Sequence, residues 1–236
     1  MGHGIGVAVI PAKGNSKVLP QKNLQYVGGR TLLNRTIDQA KRAESIDQIF
    51  VVTESSQIAD LAETAGVSVI PCTDEMSSNE TMVWEKVRIV AETFKECRGG
   101  LEPFFVELHP TYPFRTPQLI DEAFKKMQVV GFDADGVIVA SPLYDRVWRC
   151  SYSRLAPEIE IKARQSQTPL YLDHYGLCNV TRHATALKGN PYKGNLALHI
   201  ISDKRQTIDI DSQSDLAMCK SIASWFPVMA FSDFGV

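Results

Sequence analysis

Short apolar runs and segments with helical periodicity alternate along the first 140 residues of the chain. The apolar runs, which are typical of buried strands, cover residues 5–10, 48–53, 67–70, 103–108 and 136–140. Between them, apolar residues recur at helical spacing in segments 32–40, 58–65, 83–94 and 117–127. Such alternation predicts a Rossmann-like α/β fold, with a mostly parallel sheet and helices on both faces.

Residues 141–180 interrupt this alternation. Pro142, Pro157 and Pro169 fall here among many Arg and Tyr residues. The strand-like segment 195–201 and the helical segment 213–225 then restore the pattern. We therefore predict one domain over residues 1–236, in which 141–180 is an inserted excursion, and dimer contacts are one use of such an excursion.

Composition and charge exclude several classes of protein. The chain has 236 residues and a net charge of −2, so the general basic excess of a nucleic-acid binder is absent. It contains no run of ~18 apolar residues and no basic leader, which predicts neither a membrane span nor a secretion signal and favours the cytoplasm. Five cysteines, widely spaced and without a C-x-x-C pair, indicate reduced, mostly buried thiols.

A basic loop follows the first predicted strand. The first 37 residues contain no acidic residue, and Lys13, Lys17 and Lys22 lie within segment 11–23. Neither the P-loop pattern nor the dinucleotide fingerprint occurs here. Ammonium groups around a turn with free backbone N–H groups suit a small polyanion such as a nucleoside triphosphate, while the alternative is a solvated basic loop.

Three polar segments are expected to meet at one edge of the sheet. They are residues 11–23, 109–116 and 209–211, each of which follows a predicted strand or precedes the last helix. In open parallel sheets, ligands bind beyond the carboxyl ends of the strands. The sequence therefore predicts a single crevice formed by segments that are far apart along the chain.

Asp209 and Asp211 are candidate metal ligands. In an extended chain, residues i and i+2 share a face, so the two carboxylates point the same way. Two carboxylates together with phosphates and water suit Mg²⁺. The alternative is that Asp211 or Ser212 caps the final helix.

Four segments together resemble the CMP-sialic acid synthetase (acylneuraminate cytidylyltransferase) family, which includes the CMP-KDO synthetases. Residues 10–24 read I-P-A-K-G-N-S-K-V-L-P-Q-K-N-L, and 109–116 resemble the family's Q-P-T-S-P-L-R-T. Residues 51–54 resemble V-S-T-D, and 207–216 resemble D-I-D-T-x-x-D-L. The resemblance spans roughly residues 7 to 220, in order and with compatible spacing.

The resemblance implies an enzyme that transfers CMP from CTP to an acidic acceptor and releases pyrophosphate, with Mg²⁺ as cofactor on Asp209 and Asp211. Little covalent work falls to such a protein, which positions the reactants and neutralises growing charge. Lys22, Asp211 and Lys17 are the implied catalytic residues. The implied nucleotide-binding residues are Ala12, Lys13, Gly14, Asn15, Ser16, Lys17, Lys22, Asn23 and Asn79. The segment containing Asn79 has the alternative of a helix cap at Ser78 or Thr81.

The acceptor side departs from the family pattern. His109 stands where relatives have Gln, and residues 173–176, D-H-Y-G, stand where they have R-P-N-G. The acceptor-binding candidates are His109, Tyr112, Arg115, Gln165, Asp173 and Tyr175. Asp in place of Arg repels a carboxylate, which leaves two alternatives. Either the acceptor's carboxylate is bound by another residue, for instance Arg115, Arg164 or Arg182, or the acceptor differs from N-acetylneuraminate. His109 has the alternative role of a packed, hydrogen-bonded histidine.

The predicted function is that of a cytidylyltransferase for a 2-keto-3-deoxy (ulosonic) sugar acid of the sialic acid or KDO type. The resemblance also implies the nucleotide-diphospho-sugar transferase type of fold and a homodimer in which the 141–180 excursion reaches the partner's acceptor pocket. One alternative keeps CTP and changes the acceptor to a non-sugar acid such as a phosphonate. Another is a non-catalytic relative that binds nucleotide. Retention of the three loop lysines with Asp209 and Asp211 argues against a silent copy.

Overall fold

The computed structural model describes residues 4–73, 76, 83–94, 102–151, 154–158 and 166–225. The strands are β1 (Ile5–Pro11), β2 (Tyr26–Val27), β3 (Arg30–Thr31), β4 (Gln48–Thr53), β5 (Ser68–Pro71), β6 (Pro103–Glu107), β7 (Gly136–Leu143), β8 (Trp148–Ser151), β9 (Arg154–Pro157), β10 (Leu170–Asp173), β11 (Asn179–Arg182) and β12 (Leu196–Ile200). The helices are α1 (Leu32–Arg42), α2 (Ser56–Thr64), α3 (Trp84–Thr93), α4 (Pro117–Val130), α5 (His183–Lys188) and α6 (Gln213–Trp225).

The main sheet is mostly parallel, as the alternation predicts. β1 pairs in parallel with β4 on one edge and with β6 on the other. β5 continues the parallel run beyond β4, and β12 pairs in parallel with β7. The carboxyl ends of β1, β4 and β6 therefore lie side by side, which fixes where the segments that follow them can meet.

Two antiparallel strands complete the sheet. β11 lies between β6 and β7, and β10 pairs with the end of β7. Val137 of β7 faces both Val180 of β11 and Ala197 of β12, so β11 and β12 lie on opposite edges of β7. The predicted excursion over 141–180 is therefore too long, because the main sheet resumes at Leu170.

The chemistry of β11 explains why its sequence gave no strand signal. Three of its four residues, Asn179, Thr181 and Arg182, are polar, yet the whole strand is buried. Asn179 Oδ1 accepts a hydrogen bond from the Val139 N–H at 3.1 Å. Arg182 Nη1 pairs with Glu102 Oε2 at 2.6 Å. The buried polar side chains of β11 are thus satisfied by partners inside the protein, so the strand lacks the apolar pattern by which hydropathy identifies buried strands.

Helices cover both faces of the sheet. Ala8 and Ile10 of β1 face one core, built with side chains of α1, α2 and α4. Val7 and Val9, which alternate with them, face a second core built with α3 and α5. Burying one such side chain contributes about 1.5–3 kcal/mol, so these two layers hold β1 at the centre of the molecule.

A third core fixes the loop after β1 against the end of the chain. Leu19 of that loop packs with Phe114, which precedes α4, and with Ile210, Leu216 and Cys219, which lie in or just before α6. This cluster brings the basic loop, the segment after β6 and the Asp209–Asp211 segment to the same place.

Within the part of the chain that the structure describes, no helix is both long and apolar enough to cross a membrane. The cysteines in those ranges are free thiols: Cys178 and Cys219 are buried, Cys72 is half-buried and Cys150 is exposed.

Candidate functional site

A cleft of about 520 Å³ opens where the three predicted segments meet, beyond the carboxyl ends of β1 and β6. Its walls bring together nine of the predicted site residues. They are Lys13, Asn15, Ser16, Lys17, Lys22, Asn23, His109, Asp209 and Asp211. Two other candidates, Asn79 and Gln165, lie outside the described residues. The convergence of distant segments at this edge is what the topology predicts.

The basic loop is held by hydrogen bonds to the neighbouring strand. The Ala12 N–H donates to Val52 O at 3.0 Å, which extends the pairing of β1 with β4. The Gly14 N–H donates to Glu54 Oε1 at 2.7 Å. A Cβ on Gly14 would lie 2.6 Å from Ser55 Cβ, so only glycine allows the loop this close to α2.

The loop then folds back on itself. Asn23 Nδ2 donates to Lys13 O at 2.8 Å, which ties the two ends of the loop together. Residues Lys22–Leu24 form a 3-10 turn that begins after Gln21, whose φ of 49° is left-handed. This turn places Lys22 in the cleft wall together with Lys13 and Lys17.

Lys22 contacts the acidic segment directly. Lys22 Nζ lies 3.0 Å from Asp211 Oδ1, with side-chain exposures of 20% and 74%. An exposed pair of this kind contributes only about 0–1 kcal/mol to stability. The main effect of the pair is therefore to place an ammonium group beside a carboxylate in the cleft, and its contribution to folding stability is small.

Ser212, and not Asp211, caps α6. Ser212 Oγ accepts from the Asp215 N–H at 3.3 Å, while Asp215 Oδ2 accepts from the N–H groups of Ser212 and Asp211 at 2.8 and 3.1 Å. This reciprocal arrangement is a capping box. The carboxylate of Asp211 is thus left available in the cleft.

Asp209 is half-buried and only partly satisfied. Its carboxyl group accepts hydrogen bonds from Tyr112 and Thr111, and burial raises its pKa. The neighbouring Asp211 adds to this increase in pKa, while His109 and Lys22 oppose it. Its Oδ1 atom has no hydrogen-bond partner. An unshared carboxylate oxygen next to a second carboxylate is a fitting ligand for a hard cation.

Tyr112 is buried and is not among the residues that line the cleft. The side chain is only 4% exposed, and burial with the neighbouring Asp209 carboxylate raises the pKa of its hydroxyl. The Tyr112 hydroxyl donates a hydrogen bond to Asp209, and its contact with the acceptor stays a prediction.

His109 both packs and faces the cleft. Its Nε2 lies 2.5 Å from Oε1 of the buried Glu107, and its backbone N–H donates to Gly176 O at 2.8 Å. The ring meets Tyr175 edge-on, with centroids 5.2 Å apart. His109 is thus a packed, hydrogen-bonded histidine that also lines the cleft, and its contact with the acceptor stays a prediction.

Asp173 and Tyr175 lie next to His109, beside the cleft. Burial raises the pKa of Asp173, although Tyr192 and Asn179 hydrogen-bond to its carboxyl group and oppose the increase. The Tyr175 and Tyr192 rings are 5.9 Å apart. These groups form a second polar patch, which adjoins the cleft through the contact between Tyr175 and His109.

Arg115 and Arg182, which were considered as ligands of the acceptor's carboxylate, have partners within the protein. Arg115 is 2% exposed, and its Nη1 donates to Leu177 O at 2.7 Å and to His109 O at 3.2 Å. Burial lowers its pKa to about 10. Arg182 is held by Glu102. Arg164 lies outside the described residues.

Sequence reasoning missed Lys86, which lines the cleft from α3 together with Val83. Lys86 is only 7% exposed, and burial lowers its pKa. A signal for it exists in the sequence, since Lys86 stands at position i+3 of the apolar stripe that includes Val83, Val87 and Val90. A lysine within such a stripe is either snorkelling to solvent or facing a polar cavity.

Comparison with known proteins shows which family the chain belongs to. The chain matches the model of a family described as cytidylyltransferase over residues 7–154. It is 27% identical over 223 residues to the CMP-N,N'-diacetyllegionaminic acid synthase of Legionella pneumophila, covering 92% of this chain and 95% of that protein. It is 24% identical to the N-acylneuraminate cytidylyltransferase of Escherichia coli, over 92% of this chain but only 51% of that longer protein.

Solved structures share the fold. A CMP:2-keto-3-deoxy-manno-octonic acid synthetase complexed with CTP superimposes with a TM-score of 0.67 at 12% identity, covering 94% of this chain and 99% of that one. The 4-diphosphocytidyl-2C-methyl-D-erythritol synthase of Anaerococcus prevotii gives a TM-score of 0.65 at 17% identity, covering 94% and 100%. The family predicted from the sequence motifs is confirmed, and the chain belongs to the cytidylyltransferase family.

Proposed function

We propose that this cytidylyltransferase transfers CMP from CTP to a 2-keto-3-deoxy (ulosonic) sugar acid and releases pyrophosphate. The observation that carries the proposal is the cleft itself, where three loop lysines, Asp209 and Asp211 converge from distant parts of the chain. The Legionella relative, named for a CMP-linked sugar acid, aligns along nearly the whole chain, which supports an acceptor of this class.

The chemistry places specific demands on the cleft. A hydroxyl oxygen of the acceptor forms a bond to the α-phosphorus, the bond to the β-phosphate oxygen breaks, and the acceptor's hydroxyl proton is released. Lys13, Lys17 and Lys22 would bind the triphosphate and neutralise charge that grows on the leaving pyrophosphate. The hydrogen-bonded loop holds these ammonium groups in place before CTP arrives, which reduces the cost of ordering them on binding.

Asp209 and Asp211 would hold Mg²⁺. The fit rests on the unshared Oδ1 of Asp209 and the exposed carboxylate of Asp211. The described residues contain no group of three or more His, Cys, Asp or Glu side chains able to hold a metal, so phosphate and water oxygens would complete the ligand set. When bound, Mg²⁺ supplies positive charge that polarises the triphosphate.

The test is pyrophosphate release from CTP and Mg²⁺ with a panel of acceptors: N-acetylneuraminate, legionaminate, pseudaminate, KDO, 8-amino-KDO and small phosphonates. We expect release with at least one ulosonic acid. Asp209→Asn and Asp211→Asn should each lower kcat at least about a hundredfold. Asp60→Asn, on the surface of α2, is the matched control. Release with phosphonates alone would overturn the sugar-acid part of the proposal, and silence with every acceptor would overturn the proposed transfer.

A homodimer is the proposed assembly. Large side chains are exposed around the outer end of β7 and in the β8–β9 hairpin: Tyr144, Trp148, Tyr171, Leu172 and Ile200. Exposed apolar groups collected in one region favour contact with another protein. We propose a second copy of the chain as that protein, because the predicted excursion lies next to the second polar patch. Light scattering should give twice the chain mass. Trp148→Glu with Leu172→Lys should give the monomer, whereas the control Val129→Glu on α4 should not.

The cytoplasm is the proposed compartment. The free thiols of the described cysteines are stable in a reducing environment. Cell fractionation should recover the protein with soluble cytoplasmic enzymes, and recovery with the periplasm or membranes would contradict this proposal.

A further inference from the structure

The cleft has two chemically different ends. At one end, Lys22 pairs with Asp211, whose side chain is 74% exposed, and Asp209 offers an unshared oxygen. At the other end, Val83 and Lys86 enter from α3, and Lys86 is 7% exposed. The end at Asp211 is open to solvent, whereas Lys86 at the other end is largely buried.

Lys86 is placed by the fold rather than by the basic loop. α3 packs on β1 and β6, the two strands whose carboxyl ends form the floor of the cleft. Pro11 ends β1 in register with Val7 and Val9, whose side chains face the core under α3. Lys86 therefore lies beside a surface formed by Pro11 and Val83, with its ammonium group at the cleft wall.

Several titratable groups lie around Lys86. Burial has the largest effect and lowers its pKa, Cys72 and Glu54 raise the pKa, and Lys13, which lowers it, and Glu107, which raises it, have smaller effects. Glu54 is already bonded to the Gly14 N–H, and Glu107 to His109. The ammonium group is thus a pre-placed hydrogen-bond donor in a partly apolar pocket, which is an arrangement suited to a flat heterocycle with a polar edge.

The two ends match the two halves of a nucleotide. Burying a triphosphate away from water and metal is costly, so the phosphates belong with Lys22, Asp209 and Asp211. The base, an apolar ring with a polar edge, belongs between Pro11 and Val83. This places the Watson–Crick edge of the base next to Lys86.

We infer that Lys86 is a specificity-determining residue that donates a hydrogen bond to N3 of cytosine and thereby disfavours uracil. The inference rests on the proposed function for its ligand, CTP. An ammonium group has three donors and no acceptor. Cytosine N3 accepts a hydrogen bond, whereas uracil N3 carries a hydrogen and meets the donor unfavourably.

Calorimetric binding of CMP, CTP, UMP and UTP, with Mg²⁺ and without acceptor, tests this assignment. In Lys86→Met, CMP and CTP should bind more weakly by the same factor, about tenfold, because one hydrogen bond from a charged donor is lost. UMP and UTP should change by less than about twofold, since they lack the accepting N3. The matched variant Lys22→Met should weaken CTP and UTP equally.

If Lys86→Met weakened the binding of CTP and UTP by the same factor, Lys86 would be a phosphate ligand and the inference would be overturned. Unchanged affinity for CTP in this variant would also overturn it. A wild-type protein that does not bind CTP would instead overturn the proposed function. A ligand-side test avoids any folding defect of the variant: 3-deaza-CMP, which lacks the N3 acceptor, should bind wild-type protein about tenfold more weakly than CMP. Equal binding of the two would also overturn the inference.

Discussion

Asp211 and Ser212 are adjacent, yet their side chains have different partners. Ser212 and Asp215 close the capping box of α6, and Asp211 faces Lys22 across the cleft. The backbone N–H of Asp211 is nevertheless held by Asp215. The helix cap therefore positions the cleft carboxylate through the main chain and leaves its oxygens to a ligand.

Asp215→Ala should destabilise the protein by about 1 kcal/mol, the usual cost of losing a helix cap. The Ser212 hydrogen bonds lower the pKa of Asp215. A lowered pKa stabilises the fold above the ordinary value of 3.8, and this stabilisation is lost as the pH falls through the lowered pKa. Urea unfolding of wild type and variant at pH 7 and pH 2 measures both effects. A difference that stays the same at the two pH values would contradict the ionised cap.

Arg115 is expected to act on stability. Arg115→Met leaves the Leu177 and His109 carbonyls without this donor, at about 1–3 kcal/mol for each unsatisfied group. Urea unfolding should show a loss of at least about 2 kcal/mol. The exposed Arg146→Met is the control. A stable variant with a raised acceptor KM would instead place Arg115 in the acceptor site.

At the scale of elements, β11 shows how tertiary pairing creates a strand that local sequence does not. Its residues alternate poorly in hydropathy, but β6 and β7 both pair with it. By contrast, the apolar segments 48–53 and 213–225 coincide with β4 and α6, because their periodicity matches the layer they occupy. Strands buried by polar partners are the elements that hydropathy does not detect.

Asp135 joins three of these elements. Its carboxylate accepts from the Asn195 N–H at 2.8 Å and from Thr185 Oγ1 at 3.1 Å, linking the start of β7 to β12 and α5. The Asn195 and Thr185 hydrogen bonds lower its pKa. Asp135→Asn should therefore lose stability at neutral pH, and the deficit should shrink as the pH falls below the ordinary value of 3.8. Thermal unfolding from pH 2 to 7 tests this. A deficit that grows in acid would contradict the assignment.

The turn between β10 and β11 depends on Gly176. Its φ is +78°, and an added Cβ would overlap the His109 ring. Gly176→Ala should cost at least about 1 kcal/mol from the left-handed backbone alone and displace His109. Thermal unfolding measures the first effect, and the NMR shift of the His109 ring protons measures the second. The control is Gly29→Ala, at a φ of +79° with open space around it, which should show the backbone cost without any movement of His109.

For the whole molecule, CTP binding should stabilise the fold through mass action. At a CTP concentration of one hundred times Kd, the gain is about 2.7 kcal/mol. Thermal unfolding with Mg²⁺ and CTP should show this as a higher Tm in wild type and in the surface control Lys125→Met, and a much smaller increase in Lys22→Met. The same increase in all three proteins would remove Lys22 from the triphosphate site.

The α/β class, the family and nine residues of the cleft could be predicted from the amino-acid sequence alone. These follow from hydrophobic periodicity and from motifs that are local in the chain, and local spacing reports them directly. The sequence also favoured a basic loop for a polyanion, because Lys13, Lys17 and Lys22 are close in sequence.

Tertiary contacts determine which cations face the cleft. The burial of Arg115 and the placement of Lys86 depend on contacts between residues far apart in the chain, whereas the Ser212 cap is local. Burial and hydrogen bonding at such contacts determine whether a charged side chain supports the fold or faces a ligand, and no local pattern encodes them.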